Sequence, residues 1–158
     1  MLYKNVLVPY DKSTHATRAL ETALQLVSDD PEAVISVLYV AEAPETHDHD
    51  AAFSVAARMA GVQSIDTSGE VEMEQVFRKR RKEEVHAKID ALIADCPNEV
   101  HVKIATGRPH HAILNYADDH ECDAIVMGCR GLNALQGMIG SVSYAVLRSS
   151  AVPVLIVK

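Results

Sequence analysis

The residues best suited to chemistry lie late in the chain. Gly128, Gly131 and Gly140 are followed by the hydroxyls of Ser141 and Ser143, and Arg130 sits between the first two glycines. Glycines let a backbone approach phosphate oxygens closely, and the free N–H groups of a helix start then face them. Ser141 adds a donor or a helix cap. Neither G-x-G-x-x-G nor G-x-x-x-x-G-K-[ST] is present, so the two standard nucleotide loops are absent. Tight turning between strand and helix would explain the glycines equally well. Charge separates the readings. Acidic residues outnumber basic ones 22 to 15, yet Ala124–Lys158 contains no Asp or Glu while keeping Arg130, Arg148 and Lys158. Buried strands account for part of that gap, and an anion site accounts for the rest.

Other reactive side chains carry less. His47-Asp48-His49-Asp50 has metal-ligating residue types, but histidines two apart in a polar loop are usually solvated, and no metal site is expected from the protein alone. His110-His111 falls at a helix start, an ordinary surface position. Arg78-Lys79-Arg80-Arg81-Lys82 is followed at once by Glu83 and Glu84, so helical ion pairing on a solvated face is favoured over nucleic-acid binding. Cys129 next to Arg130 has a route to reactivity, weighed against the common role of cysteine as a small core residue. His15 is the only histidine near the proposed site, and no nucleophile–base arrangement emerges. No catalytic residue is assigned, and enzymatic activity is expected to be absent or slow.

The elements that must position these residues follow from hydrophobic spacing. Asn5–Pro9 is a short apolar run suited to a strand buried on both faces. Ser13 or Thr14 caps a helix whose buried face is Ala16, Ala19, Leu20, Ala23, Leu24 and Val27. Val34–Val40 is a second strand. Ala41–Gly69 reads as a long connection, and a charged helix over roughly Val71–Asp95 buries Val85, Ile89, Leu92 and Ile93. Strands at Val100–Ala105, Asp123–Met127 and Val152–Val157 alternate with helices at Pro109–His120 and Ser141–Ser149, Pro109 occupying a first-turn position. Such alternation requires a parallel sheet covered on both faces. Ligands then bind beyond the carboxyl ends of the strands, where strand order reverses. Pro9-Tyr10-Asp11 and Met127–Gly131 fall there.

A chain of 158 residues, 48% hydrophobic, suits a single domain over 1–158. Its formal charge of −7 argues against a nucleic-acid or anionic-membrane binder. No apolar run approaches the ~20 residues that span a bilayer, no charged-then-apolar leader opens the chain, and three cysteines without metal spacing fit a reducing cytoplasm.

Val6-Leu7-Val8-Pro9-Tyr10-Asp11-Lys12-Ser13 resembles the opening of the universal stress protein family. Asp123–Gly128, Gly140-Ser141-Val142-Ser143 and Pro153–Val157 resemble its close, and Thr106-Gly107-Arg108-Pro109 its turn before the third helix. The resemblance implies an α/β, five-stranded, doubly wound (Rossmann-like) parallel sheet, with strand order 3-2-1-4-5 expected. It further implies a homodimer along the last strand, through Val152, Val154 and Ile156, and in one branch ATP binding. Carried over by position, Pro9, Tyr10, Asp11 and Val40 would meet adenosine, with Asp11 near the ribose and Met127 beside the base. Gly128, Arg130, Gly131, Gly140, Ser141, Val142 and Ser143 would meet phosphate, with Mg²⁺ accompanying the nucleotide near Asp11. Eight residues separate Gly131 from Gly140, one fewer than is usual in that branch, and Gly137 is an extra glycine. The implied function is nucleotide-dependent stress signalling. The alternatives are a nucleotide-free dimeric interaction module, an AMP-type ligand binder or a slow ATPase.

Overall fold

The computed structural model describes residues 3–41, 68–132 and 138–158. Along the chain these form β1 (Asn5–Pro9), α1 (Thr14–Leu26), β2 (Val34–Ala41), α2 (Ser68–Ile93), β3 (Glu99–Thr106), α3 (Pro109–Asp119), β4 (Ala124–Gly128), α4 (Ser141–Ser149) and β5 (Val154–Val157). The five strands make one parallel sheet in the order β3-β2-β1-β4-β5, the order expected.

Central position follows from composition. β1 and β4 are almost wholly buried, as their unbroken apolar runs require. On one face, α1 and α2 pack Ala19, Leu20, Ala23, Val85 and Ile89 against Val6, Val8, Ile35 and Val37. On the other, α3 and α4 bring Ile113, Ala117 and Val146 onto Leu7, Leu38, Ile125 and Met127. Successive residues of β1 thus feed opposite cores, as period-two geometry dictates.

Several boundaries differ from expectation for identifiable reasons. β5 starts at Val154 rather than Val152, because the Ser150 hydroxyl donates to the Val152 carbonyl (2.9 Å) and accepts from its N–H (3.2 Å). That turn keeps Val152 out of the sheet. The expected connection 41–69 is shorter at both ends: Ala41 closes β2 opposite Thr106, and Ser68 and Gly69 are helical. Residues 42–67, with His47-Asp48-His49-Asp50, lie outside the described residues. Among those described, no helix is long and apolar enough to cross a membrane, and no group of three or more His, Cys, Asp or Glu side chains is placed to hold a metal.

Asn98 ties the layers together at the end of the sheet away from the glycines. It is buried, and its amide donates to the carbonyls of Asp30 (2.6 Å), Ala33 (3.1 Å) and, more weakly, Val27 (3.4 Å). The turn after α1 is thereby fastened to the start of β3. Asn98→Ala leaves buried carbonyls without a donor, which costs about 1–3 kcal/mol. Urea unfolding should show that loss, while Asn115→Ala on the exposed side of α3 should stay within about 0.5 kcal/mol of the parent.

Candidate functional site

The first wall is the loop between β1 and α1. The Tyr10 N–H donates to the Leu38 carbonyl (2.9 Å), prolonging the β1–β2 pairing past Pro9. Asp11 Oδ1 accepts from the Ser13 N–H (3.0 Å), and Ser13 Oγ accepts from the Ala16 N–H (3.1 Å), which makes Ser13 rather than Thr14 the cap of α1. Between them Lys12 adopts a left-handed backbone, φ 68°. Its ammonium reaches Glu84 of α2 at 3.0 Å and lies 4.9 Å from the centre of the Tyr39 ring. Arg81 (2.9 Å) and Arg80 (3.5 Å) share the same carboxylate. Lys12 first, and Arg81 second, hold the Glu84 carboxyl below its ordinary range.

The second wall is the glycine stretch, where each glycine answers to a different constraint. A Cβ on Gly128 would come within 2.7 Å of His15 Cβ and 2.8 Å of its carbonyl carbon, so only glycine lets α1 pack on β4 there. A Cβ on Gly131 would sit 2.5 Å from Asp11 Oδ2, which places the Asp11 carboxylate against this loop. A Cβ on Gly140 would meet Arg130 Cα at 3.4 Å, Cys129 O at 3.5 Å and Ser143 Oγ at 3.7 Å, ordinary van der Waals contact. The Gly140 N–H donates to the Cys129 carbonyl (2.7 Å), which closes the loop and aims α4.

Gly140 caps α4 without a side-chain hydrogen bond. The first-turn N–H groups of Ser141, Val142 and Ser143 therefore have no intrahelical acceptor. They stand at a cavity of about 570 Å³. The Ser143 hydroxyl is buried and donates to the Gly128 carbonyl (2.8 Å), so this residue offers the cavity its N–H rather than its O–H. Ser141 remains exposed.

The structure brings all the proposed nucleotide residues to this one cavity. Pro9, Tyr10 and Asp11 come from β1 and its loop, and Val40 from β2. Met127, Gly128, Arg130 and Gly131 come from β4 and the turn after it, and Gly140, Ser141, Val142 and Ser143 from the start of α4. Asp11 and Arg130 are the charged residues of its described lining. Sequence reasoning missed the apolar end made by Leu38, Pro109 and Ile113, and the lip of Leu132, Met138 and Ile139. Leu38 was within reach, since it lies two residues before Val40 and shares its face. Ile113 depends on how α3 crosses β2, which no local pattern encodes.

Cys129 is buried, with its N–H on the Val157 carbonyl (2.7 Å), a packing position. Cys122 is buried too, and desolvation, with Asp123 beside it, pushes its thiol up to about 11. Val154 and Ile156 are half-buried and pack with Val152 against the α3–α4 core, whereas Leu155 is 44% exposed.

A doubly wound parallel sheet with a glycine-bounded cavity at its carboxyl end places the chain among α/β proteins of the open-sheet class. The universal stress protein family profile matches residues 2–158, and the chain belongs to that family. It is 31% identical over 162 residues to a universal stress protein of Methanocaldococcus jannaschii, covering 100% of this chain and 96% of the relative. A Thermus aquaticus universal stress protein is 34% identical over 160 residues, with 99% and 100% covered. The solved structure of the same M. jannaschii protein superposes with a TM-score of 0.70 at 26% identity, over 100% of this chain and 97% of that one. Two further solved universal stress proteins share the fold. One is in complex with cAMP (TM-score 0.60, 23% identity, 99% and 98% covered), and one from Archaeoglobus fulgidus is in complex with dAMP (0.59, 21%, 100% of both).

The glycines should respond differently to a methyl group. Gly128→Ala forces α1 off β4 and should lower stability by about 1–3 kcal/mol. Gly140→Ala should be close to neutral, since its φ of −64° suits any residue. Paired urea titrations check both.

Proposed function

We propose that this chain binds an adenine nucleotide, ATP with Mg²⁺, and acts as a nucleotide-dependent stress-response signalling module. The observation that carries the reading is the start of α4, where the N–H groups of Ser141–Ser143 have no intrahelical acceptor and these residues line a cavity whose other end is apolar. An anion at a helix start gains roughly 0.3–1 kcal/mol, and each charge-assisted hydrogen bond roughly 1.5–3 kcal/mol. Leu38, Val40, Ile113 and Met127 offer an apolar slot for a base, with Asp11 beside the ribose. Relatives of the same fold solved with cAMP and dAMP support an adenine ligand. The Asp11 carboxylate, facing Gly131, is the described group suited to a Mg²⁺ ion that otherwise keeps phosphate and water ligands. That ion would neutralise phosphate charge. Asp11 and Arg130 make no acid–base pair matched to hydrolysis, so the reading is of binding, with turnover slow at most. The free cysteines Cys96, Cys122 and Cys129 suit a reducing cytoplasm.

ATP should bind at least about tenfold tighter than AMP, since one lost phosphate contact of ~1.4 kcal/mol is a factor of ten. Gly140→Glu should abolish the difference by placing a carboxylate at the phosphate end. Calorimetry under one Mg²⁺ and salt condition reads both. Equal affinities for the two nucleotides would favour an AMP-type ligand, and no binding would favour the nucleotide-free module.

The same reading pairs two copies along β5. This edge strand leaves N–H and C=O groups open, and Leu155, Leu147 and Tyr144 are exposed beside it. Leu155→Asp tests the interface better than a change at Val154, whose side chain faces the protein's own core. Light scattering should show a dimer for the parent and a monomer for Leu155→Asp; a dimer in the variant would place the contact elsewhere.

A further inference from the structure

We propose that Glu84, on α2 and outside the cavity, is a positioning residue for nucleotide binding: through Lys12 it fixes the loop that carries Asp11. This inference rests on the nucleotide reading above and names a residue that sets its strength. Lys12 lies between Asp11, whose Oδ2 stands against Gly131, and Ser13, which caps α1. Its φ of 68° is in the left-handed region, where glycine is the usual occupant. A residue with a side chain is disfavoured there about five- to thirtyfold, so its neighbours must hold it.

On the cavity side, the Ser13 N–H donates to Asp11 Oδ1 at 3.0 Å, closing a turn over Lys12. On the other side, the Lys12 ammonium donates to Glu84 Oε2 at 3.0 Å and lies 4.9 Å from the Tyr39 ring centre. Arg81 Nη1 (2.9 Å) and Arg80 Nε (3.5 Å) hold the same carboxylate, so this is a network rather than an isolated surface pair. Next to Glu84, the buried Val85 fastens α2 to the core, with Ile89 one turn further on. While the ammonium is tethered, the peptides on both sides of Lys12 keep their orientation and Asp11 keeps its carboxylate at Gly131. Once it is released, Lys12 relaxes toward negative φ, those peptides turn, and Asp11 is carried away from the cavity. Charge alone predicts the opposite sign. Removing Glu84 deletes a negative charge and releases two arginines, which favours an anionic ligand.

The probe is ATP with Mg²⁺, titrated calorimetrically into the full chain. Glu84→Ala should bind it about three- to tenfold more weakly, because only a fraction of the loop is then in the competent form. Lys12→Ala should be weakened to a similar degree. Adding Lys12→Gly to Glu84→Ala should return the affinity to within about twofold of the parent, because glycine adopts the left-handed backbone without strain. An ion pair that only stabilises the fold would lower urea stability in these variants and give no such rescue. Hydrogen exchange at the Ser13 amide reads the loop without nucleotide: it should be faster in Glu84→Ala and parent-like in Glu84→Ala/Lys12→Gly. Parent-like ATP affinity in Glu84→Ala, no rescue in the double variant, or unchanged Ser13 exchange in Glu84→Ala would each overturn the proposal. If the parent binds no ATP, the nucleotide reading falls, while faster Ser13 exchange in Glu84→Ala still supports the positioning of Asp11.

Discussion

The carboxyl end of this sheet depends on one close approach, that of the first turn of α1 to the last residue of β4. Gly128 has no room for a methyl group because His15 and the Ala16 N–H already occupy the space. β1 and β4 are neighbours in the middle of the sheet, and the helices that follow them pack on opposite faces, α1 on one and α4 on the other. The gap between those departures is the cavity. Were α1 pushed outward, Pro9–Asp11 would move away from the glycine loop, and the Asp11 carboxylate would lose its position against Gly131. A packing constraint on one residue thus sets the width of the proposed site.

Electrostatics then decide what such a gap can hold. An acidic protein repels anions at long range, so an anionic ligand must be recognised by fixed local groups. Backbone N–H groups at Ser141–Ser143 are of that kind: they carry no counter-charge and need no reorganisation. The absence of Asp and Glu from Ala124 to Lys158 keeps opposing carboxylates out of the local chain. Asp11 is the described exception in the lining, and it comes from the other wall. Mixed charge in one cavity suits a ligand that is anionic at one end and carries hydroxyls, or a bound cation, partway along.

Much of this was legible in the sequence, because the signals were local. Apolar runs separated by helical spacing are enough for five strands and the helices between them, and the rule for parallel sheets locates the site at Pro9–Asp11 and Met127–Gly131. What escaped was of two kinds. The start of β5 turns on a local contact, a Ser150 hydroxyl that folds back on Val152 two residues on, and the rest was long-range. The hydroxyl of Ser143 reads as a phosphate donor until its acceptor, Gly128 O, is brought close by the turn between them. The apolar slot needs Leu38 from β2 and Ile113 from α3 side by side, a product of packing. Gly128 was noticed for phosphate, whereas its first duty is to admit α1.

Lys12 shows how the site is secured from outside itself. A left-handed backbone at a residue with a side chain costs of order 1–3 kcal/mol, and it persists only where neighbours hold it. Here the Ser13 cap holds one side, while Glu84 and the Tyr39 ring hold the ammonium. The Glu84 carboxyl is kept below its ordinary range by these cations, so it stays ionised at neutral pH. Its contribution is present above the unfolded value and is lost as pH falls through the lowered folded one. Arg80 and Arg81 converge on the same carboxylate. The flank of α2 thereby forms a closed charge network that fixes the loop carrying Asp11.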